Sequence, residues 1–196
     1  MAVENGGRYV VAQRTSGIGG RDALMEAANS AAENGNRLFG FFGTSSGHLP
    51  FQTANGDFVP TRGASDAERY EAADIVENPT LADMTEAALI ALTPSQKEKG
   101  FWLMVEAGDV DWANHNNNLD DSIGAVFSGE AAFQKIVEWV EENSNWNETL
   151  LIVTADHGHY LNLVDPEAVA TAAIENAELE RASVETNLKG DKTQIK

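Results

Sequence analysis

Two continuous apolar runs, FWLMV at 101–105 and LLIVTA at 150–155, constrain this chain more than any other feature. Each is too short for a helix and lacks the polar alternation of a half-solvated strand, so each reads as a strand buried on both faces of a parallel sheet. Between them Leu119, Ile123, Val126, Phe127, Phe133, Ile136, Val137 and Val140 recur at helical spacing. Strand, helix, strand is a crossover unit, and crossover units build α/β folds. The fold class expected is therefore an α/β sandwich around a mainly parallel sheet.

Open parallel sheets put ligands beyond the carboxyl ends of their strands. The first run leads into Glu106-Ala-Gly-Asp-Val-Asp111-Trp-Ala-Asn-His115, and the second ends in Asp156-His157-Gly-His159. Asp111 and His115 are four residues apart, so on a helix beginning near Asp111 they share one face, within reach of one ion. Carboxylate with imidazole suits zinc, whereas Glu106, a hard oxygen donor, suits magnesium. Asp156 and His157 are consecutive and would diverge on a strand. They can share an ion only where the strand has turned, and Gly158 permits such a turn. Two zinc ions about 4 Å apart would clamp the attacking and leaving oxygens of a phosphoryl transfer. Taken singly, each residue has an ordinary alternative, as a helix cap or a packed histidine. Glu-x4-Asp-x3-His followed by Asp-His-x-His at a second strand end is a specific combination.

These two segments resemble the C-terminal metal motifs of the alkaline phosphatases, and the helix opening at Pro79-Thr-Leu-Ala-Asp-Met-Thr-Glu86 is similar to the one preceding them in that family. The similarity begins near Leu38, takes in Gly40-Phe-Phe-Gly and His48-Leu-Pro50, and runs through Tyr160. The resemblance implies a three-layer sandwich and hydrolysis of phosphomonoesters through a phosphoserine, with two zinc ions and one magnesium. It also implies site roles: Asp111 and His115 on the first zinc, Asp156 and His157 on the second, and Glu106 on magnesium. His159 would support a zinc-ligand aspartate from outside the ligand shell, and Trp112 would sit near phosphate and magnesium. A homodimeric parent, periplasmic or secreted, is implied as well.

The family's bridging aspartate, serine nucleophile, magnesium threonine, phosphate-binding arginine and last zinc histidine have no match here. The expectation is thus a partial domain over 1–160, a helical tail, insertion or divergent segment over 161–196, and a chain inactive by itself and marginally stable or prone to association. Asp121-Ser122 mimics the nucleophile dipeptide but falls on the crossover helix, where the serine is a surface residue. Gly17-Ile-Gly-Gly20 lacks the rest of a dinucleotide fingerprint and reads as a turn. His48 is expected in a solvated loop. Rival readings are another metal-dependent member of the same superfamily, of the phosphoglycerate mutase or phosphopentomutase type, and a non-enzymatic acidic calcium-binding module. The calcium reading draws on Asp109, Asp111, Asn114 and Asn116, but the loop glycine and the twelfth-place glutamate are absent.

Charge narrows the partners. Thirty-one acidic against 13 basic residues give a net charge of −18, which disfavours nucleic acid and anionic membranes and attracts cations. There are no cysteines, so disulfides and thiolate metal sites are excluded. The sequence shows no signal peptide and no run long enough to span a membrane. Elsewhere the sequence predicts strands over 9–12 and 37–42, helices over 22–33 and from 80 to Pro94, a long loop over 43–69, and a tail helix over 165–185.

Overall fold

A computed structural model describes residues 2–61, 69–96, 99–172 and 174. The chain divides into two compact units, Met1–Tyr160 and Leu161–Lys196. In the first, β1 (Tyr9–Gln13) and β2 (Arg37–Phe41) pair in parallel with Val11 beside Phe39. Helix α1 (Gly20–Asn34) connects them, so the crossover unit that forms is β1–α1–β2. The helix stops where Gly35 turns left-handed at φ 63° and its N–H caps the Ala31 carbonyl, a conformation glycine adopts without a Cβ penalty.

One face of the strand pair is covered. Ala12, Leu24, Ala27, Ala28 and Ala87 form a small-residue core, flanked by Val10, Leu38, Phe42, Met84 and Ile90. Small side chains let α1 and α3 (Leu81–Gln96) approach the strands closely. The other face is bare: Val11, Phe39 and Phe41 are exposed, and the two phenylalanines stack at 6.4 Å.

Helix α3 opens on a reciprocal cap. The Thr80 hydroxyl accepts from Asp83 N at 3.2 Å and the Asp83 carboxylate accepts from Thr80 N at 2.9 Å, as the Thr-x-x-Asp spacing predicts. Pro94 lies inside its last turn instead of ending it. Ahead of it, α2 (Ala72–Glu77) is a short helix the sequence reading missed. It is held through Arg14, whose guanidinium binds Asp74 at 2.7 Å and Glu77 at 3.1 Å. Glu77 also accepts from Gly17 N at 2.7 Å, so the glycine turn at 17–20 already has a carboxylate of its own.

The two apolar runs require correction. Residues 101–105 and 150–155 join no ladder among the described residues, and they are not buried on both faces. Phe101, Leu103 and Val105 are half-buried, with the Phe101 ring edge-on to Trp139 at 5.2 Å, while Trp102 and Met104 are 82% and 70% exposed. Ile152 and Val153 are likewise exposed. Double burial needs a strand on each side and a helix layer on each face. Only one face of the 101–105 run is covered here. The fold is thus a set of helices on a small parallel sheet, consistent with a partial α/β domain.

Past the first run, α4 (Asp109–His115) is followed by α5 (Leu119–Asn143). Asn117 breaks them apart with a left-handed φ of 50°. In the second unit residues 166–172 are helical and Asp165 caps Ala168 N at 2.9 Å. The remainder of the expected tail helix, but for residue 174, lies outside the described residues.

Candidate metal centre

Helix α4 begins at Asp109, so Asp111 and His115 lie one turn apart on one face, with His115 Nε2 3.4 Å from Asp111 Oδ2. The segment after the second run brings two more imidazoles to the same carboxylate. His157 Nε2 lies 3.7 Å and His159 Nε2 3.5 Å from Asp111 Oδ1. Donor atoms of Asp111, His115 and His159 all fall within 4.8 Å of one another. Ligands of a tetrahedral zinc at ordinary bond lengths stand about 3.4 Å apart, close to the separations seen. Asp111 Oδ1 itself is buried and accepts no hydrogen bond. A buried carboxylate oxygen without a donor is costly, and a cation would satisfy it. The group therefore fits a metal cation.

The ring nitrogens divide the histidines. His157 Nδ1 lies 2.8 Å from the Gly158 carbonyl, which only accepts, so the ring proton sits on Nδ1 and Nε2 keeps its lone pair towards Asp111. The Gly158 carbonyl, and then Asp156 and Asp111, raise the His157 pKa above its ordinary value. His159 is the reverse. Its Nδ1 accepts from Tyr160 N at 3.1 Å, which leaves Nε2 of the neutral ring protonated and aimed at Asp111. Although proximity groups His159 with Asp111 and His115, its Nε2–H at 3.5 Å makes no hydrogen bond to Asp111 Oδ1, and this tautomer turns no lone pair towards a shared ion.

Not every expected ligand joins this group. Asp156 is 89% exposed on its side chain, with Oδ2 3.6 Å from His157 Nε2. Glu106 is exposed and its carboxylate lies beside Gly108, outside the Asp111 group. Ser122 is on α5 and its hydroxyl donates to Asn114 Oδ1 at 2.8 Å, not to any of the ligands. Because 109–115 is helical, the Asp/Asn-rich stretch is not a calcium loop.

His48 corrects the sequence reading. Its side chain is only 16% exposed, Nδ1 pairs with the Asp109 carboxylate, and the ring meets Trp112 edge-on at 5.6 Å. Sixty-one positions separate His48 from Asp109, and no local pattern signals such a contact. The loop carrying His48 is stitched to the start of α5, where the Asp120 carboxylate accepts from Ala54 N and Thr61 N, each at 3.1 Å. Asn118 caps the same helix by accepting from Asp121 N and donates to the Thr61 carbonyl at 2.8 Å.

Asp121 is buried in this junction, and burial together with neighbouring Asp120 pushes its pKa from 3.8 up to about 6. Between those values the folded state holds a proton the unfolded chain has released, so this group's contribution to stability falls as pH rises from about 4 to 6. Asp121→Asn is expected to flatten stability against pH across that window. Above pH 6 the gain is at most about 3 kcal/mol, measurable by urea unfolding at pH 4 and pH 7.

Carboxylate and imidazole groups gathered around Asp111, in a chain whose helices cover a small parallel strand pair, are the features of a candidate metal centre in an α/β protein. A model of the alkaline phosphatase family matches residues 12–190, and the chain belongs to that family. Alkaline phosphatase of Escherichia coli (strain K12) is 40% identical over 92 residues, covering 47% of this chain and 18% of that protein. Alkaline phosphatase H of Pseudomonas aeruginosa (strain UCBPP-PA14) is 34% identical over 121 residues, 62% of this chain and 24% of the relative. The repressible alkaline phosphatase of Saccharomyces cerevisiae is 35% identical over 88 residues, 43% of this chain and 15% of the relative. The chain thus spans less than a quarter of the length of these relatives. No helix among the described residues is long and apolar enough to cross a membrane.

Proposed function

We propose that this chain supplies part of the metal centre of a phosphomonoester hydrolase of the alkaline phosphatase type. The observation that supports this most directly is Asp111: one oxygen is buried without a donor, and three imidazoles surround the carboxylate. In this reading Asp111 and His115 hold one zinc, Asp156 and His157 a second, and Glu106 a magnesium. Bound zinc supplies charge to the phosphoryl and leaving oxygens of a reaction passing through a phosphoserine. The residues of this chain do the holding and orienting. His157 presents a lone pair because the Gly158 carbonyl fixes its tautomer, and His159 flanks Asp111. Trp112, 58% exposed on α4, would border the phosphate. A homodimeric, exported parent accompanies this reading.

The 196-residue chain alone is expected to turn over little substrate. A nucleophile and a phosphate-orienting arginine each contribute orders of magnitude in rate, and Ser122 is engaged with Asn114. Arg14 is likewise occupied by Asp74 and Glu77. The assay is release of p-nitrophenol from its phosphate with zinc and magnesium added, run beside His115→Ala. Rates indistinguishable from that variant are the expected result. Turnover well above it would place a nucleophile within these residues.

A further inference from the structure

The opposite side of α4 carries a second site. Asp109, Trp112, Ala113 and Asn116 recur at i, i+3, i+4 and i+7 and face a cavity of about 290 Å³, whereas Asp111 and His115 point away from it. Loop residues Phe51, Phe58 and Tyr70 close the cavity with an aromatic wall. Tyr70 is edge-on to Phe51 at 6.1 Å and to Phe58 at 6.2 Å.

The charge inside this cavity is unbalanced. Asp109 is paired with His48. Asp121 is 92% buried by area, accepts one hydrogen bond from the Asn118 amide at 3.0 Å, and forms no ion pair with a basic side chain among the described residues. Among the described residues, no lysine or arginine lines the cavity. Its place in the first turn of α5 favours a negative charge but falls short of a full counter-charge.

The chemistry selects the occupant. An anion would meet two carboxylates, and a neutral aromatic would leave Asp121 uncompensated. A calcium ion requires six to eight oxygens; Ser46, Thr53, Asp109, Asn116 and Asp121 offer some, but Phe51, Phe58, Tyr70 and Trp112 occupy much of the remaining lining. Aromatic rings and a buried carboxylate together suit a cation that is itself apolar on its surface.

We propose that this cavity binds a small organic ammonium ion between the Asp121 carboxylate and the rings of Phe51, Phe58, Tyr70 and Trp112. The site shares Trp112 with the phosphatase reading but none of the metal ligands of the Asp111 group, and it needs no turnover to detect.

The test is calorimetric titration of the full chain with choline chloride at constant ionic strength, with tryptophan fluorescence followed in parallel. One saturable site is expected. The neutral isostere 3,3-dimethylbutan-1-ol should bind at least tenfold more weakly, and Asp121→Asn and Tyr70→Leu should each weaken choline at least tenfold. An absence of saturation would overturn the proposal. So would equal binding of the neutral isostere, which would make the cavity merely apolar, or displacement of choline by stoichiometric magnesium, which would make it a metal site. The isostere and magnesium arms use the unaltered protein and decide the matter even if a variant fails to fold.

Discussion

Zinc at a hundredfold excess over its dissociation constant is expected to raise the thermal midpoint of the metal-free protein by roughly 5–10 °C. A ligand at that excess contributes about 2.7 kcal/mol to the folded state, and a domain of this size shifts by about 2–4 °C per kcal/mol. Asp111→Asn should abolish the shift, because it removes the carboxylate around which three imidazoles converge. Without zinc at pH 8 the same substitution should be neutral or stabilising, since it removes a charge whose buried oxygen has no donor. His115 and His159 should separate: His115→Ala loses the shift, and His159→Ala only weakens it, since the His159 ring flanks Asp111 without turning a lone pair to the ion. Differential scanning fluorimetry with and without a chelator reads all five results. A shift unaltered in Asp111→Asn would remove the metal from this site.

Gly124→Ala is expected to cost roughly 2–4 kcal/mol, a large fraction of the stability of a single domain. A methyl group at Gly124 would lie 2.0 Å from the Gln52 carbonyl oxygen and 2.8 Å from Thr53 Cα. Both are backbone atoms, and overpacking against backbone is relieved only by moving the loop. That loop is tied to Asp120 through Ala54 N and Thr61 N, so it cannot shift without losing those bonds. Gly129→Ala is the control. Its new methyl meets only the Ala107 side chain, at 3.0 Å, and the gain in helix propensity offsets part of the contact. Urea unfolding of both variants should give a lower midpoint for Gly124→Ala with an unchanged slope.

What could be read from sequence was what is local. The stop of α1 at Asn34-Gly35 and the Thr80–Asp83 cap involve residues within one turn of each other, and both stand as the spacing implies. The pairing of Asp111 with His115 was legible for the same reason. The apolar runs at 101–105 and 150–155 misled because hydrophobicity reports the surroundings a segment suits, not the neighbours it has among these residues. Helix α2 escaped notice since six residues carry little periodicity and its anchor, Arg14, lies far off in sequence. The convergence of His157 and His159 on Asp111, and of His48 on Asp109, depends on how distant segments meet. Residue type pointed to the former, while nothing in the sequence pointed to the latter.

The bare sheet face has a bearing on how the molecule behaves in company. Val11, Phe39 and Phe41 offer short-range attraction to any similar patch, while a net charge of −18 surrounds each molecule with a repulsive atmosphere. That atmosphere reaches about 10 Å at 0.1 M salt and about 3 Å at 1 M. It vanishes near the isoelectric point of about 4.4. In colloidal language the chain is a charge-stabilised particle with an adhesive spot. Its dispersion rests on the acidic surface, which sets the salt and acidity at which single molecules give way to clusters.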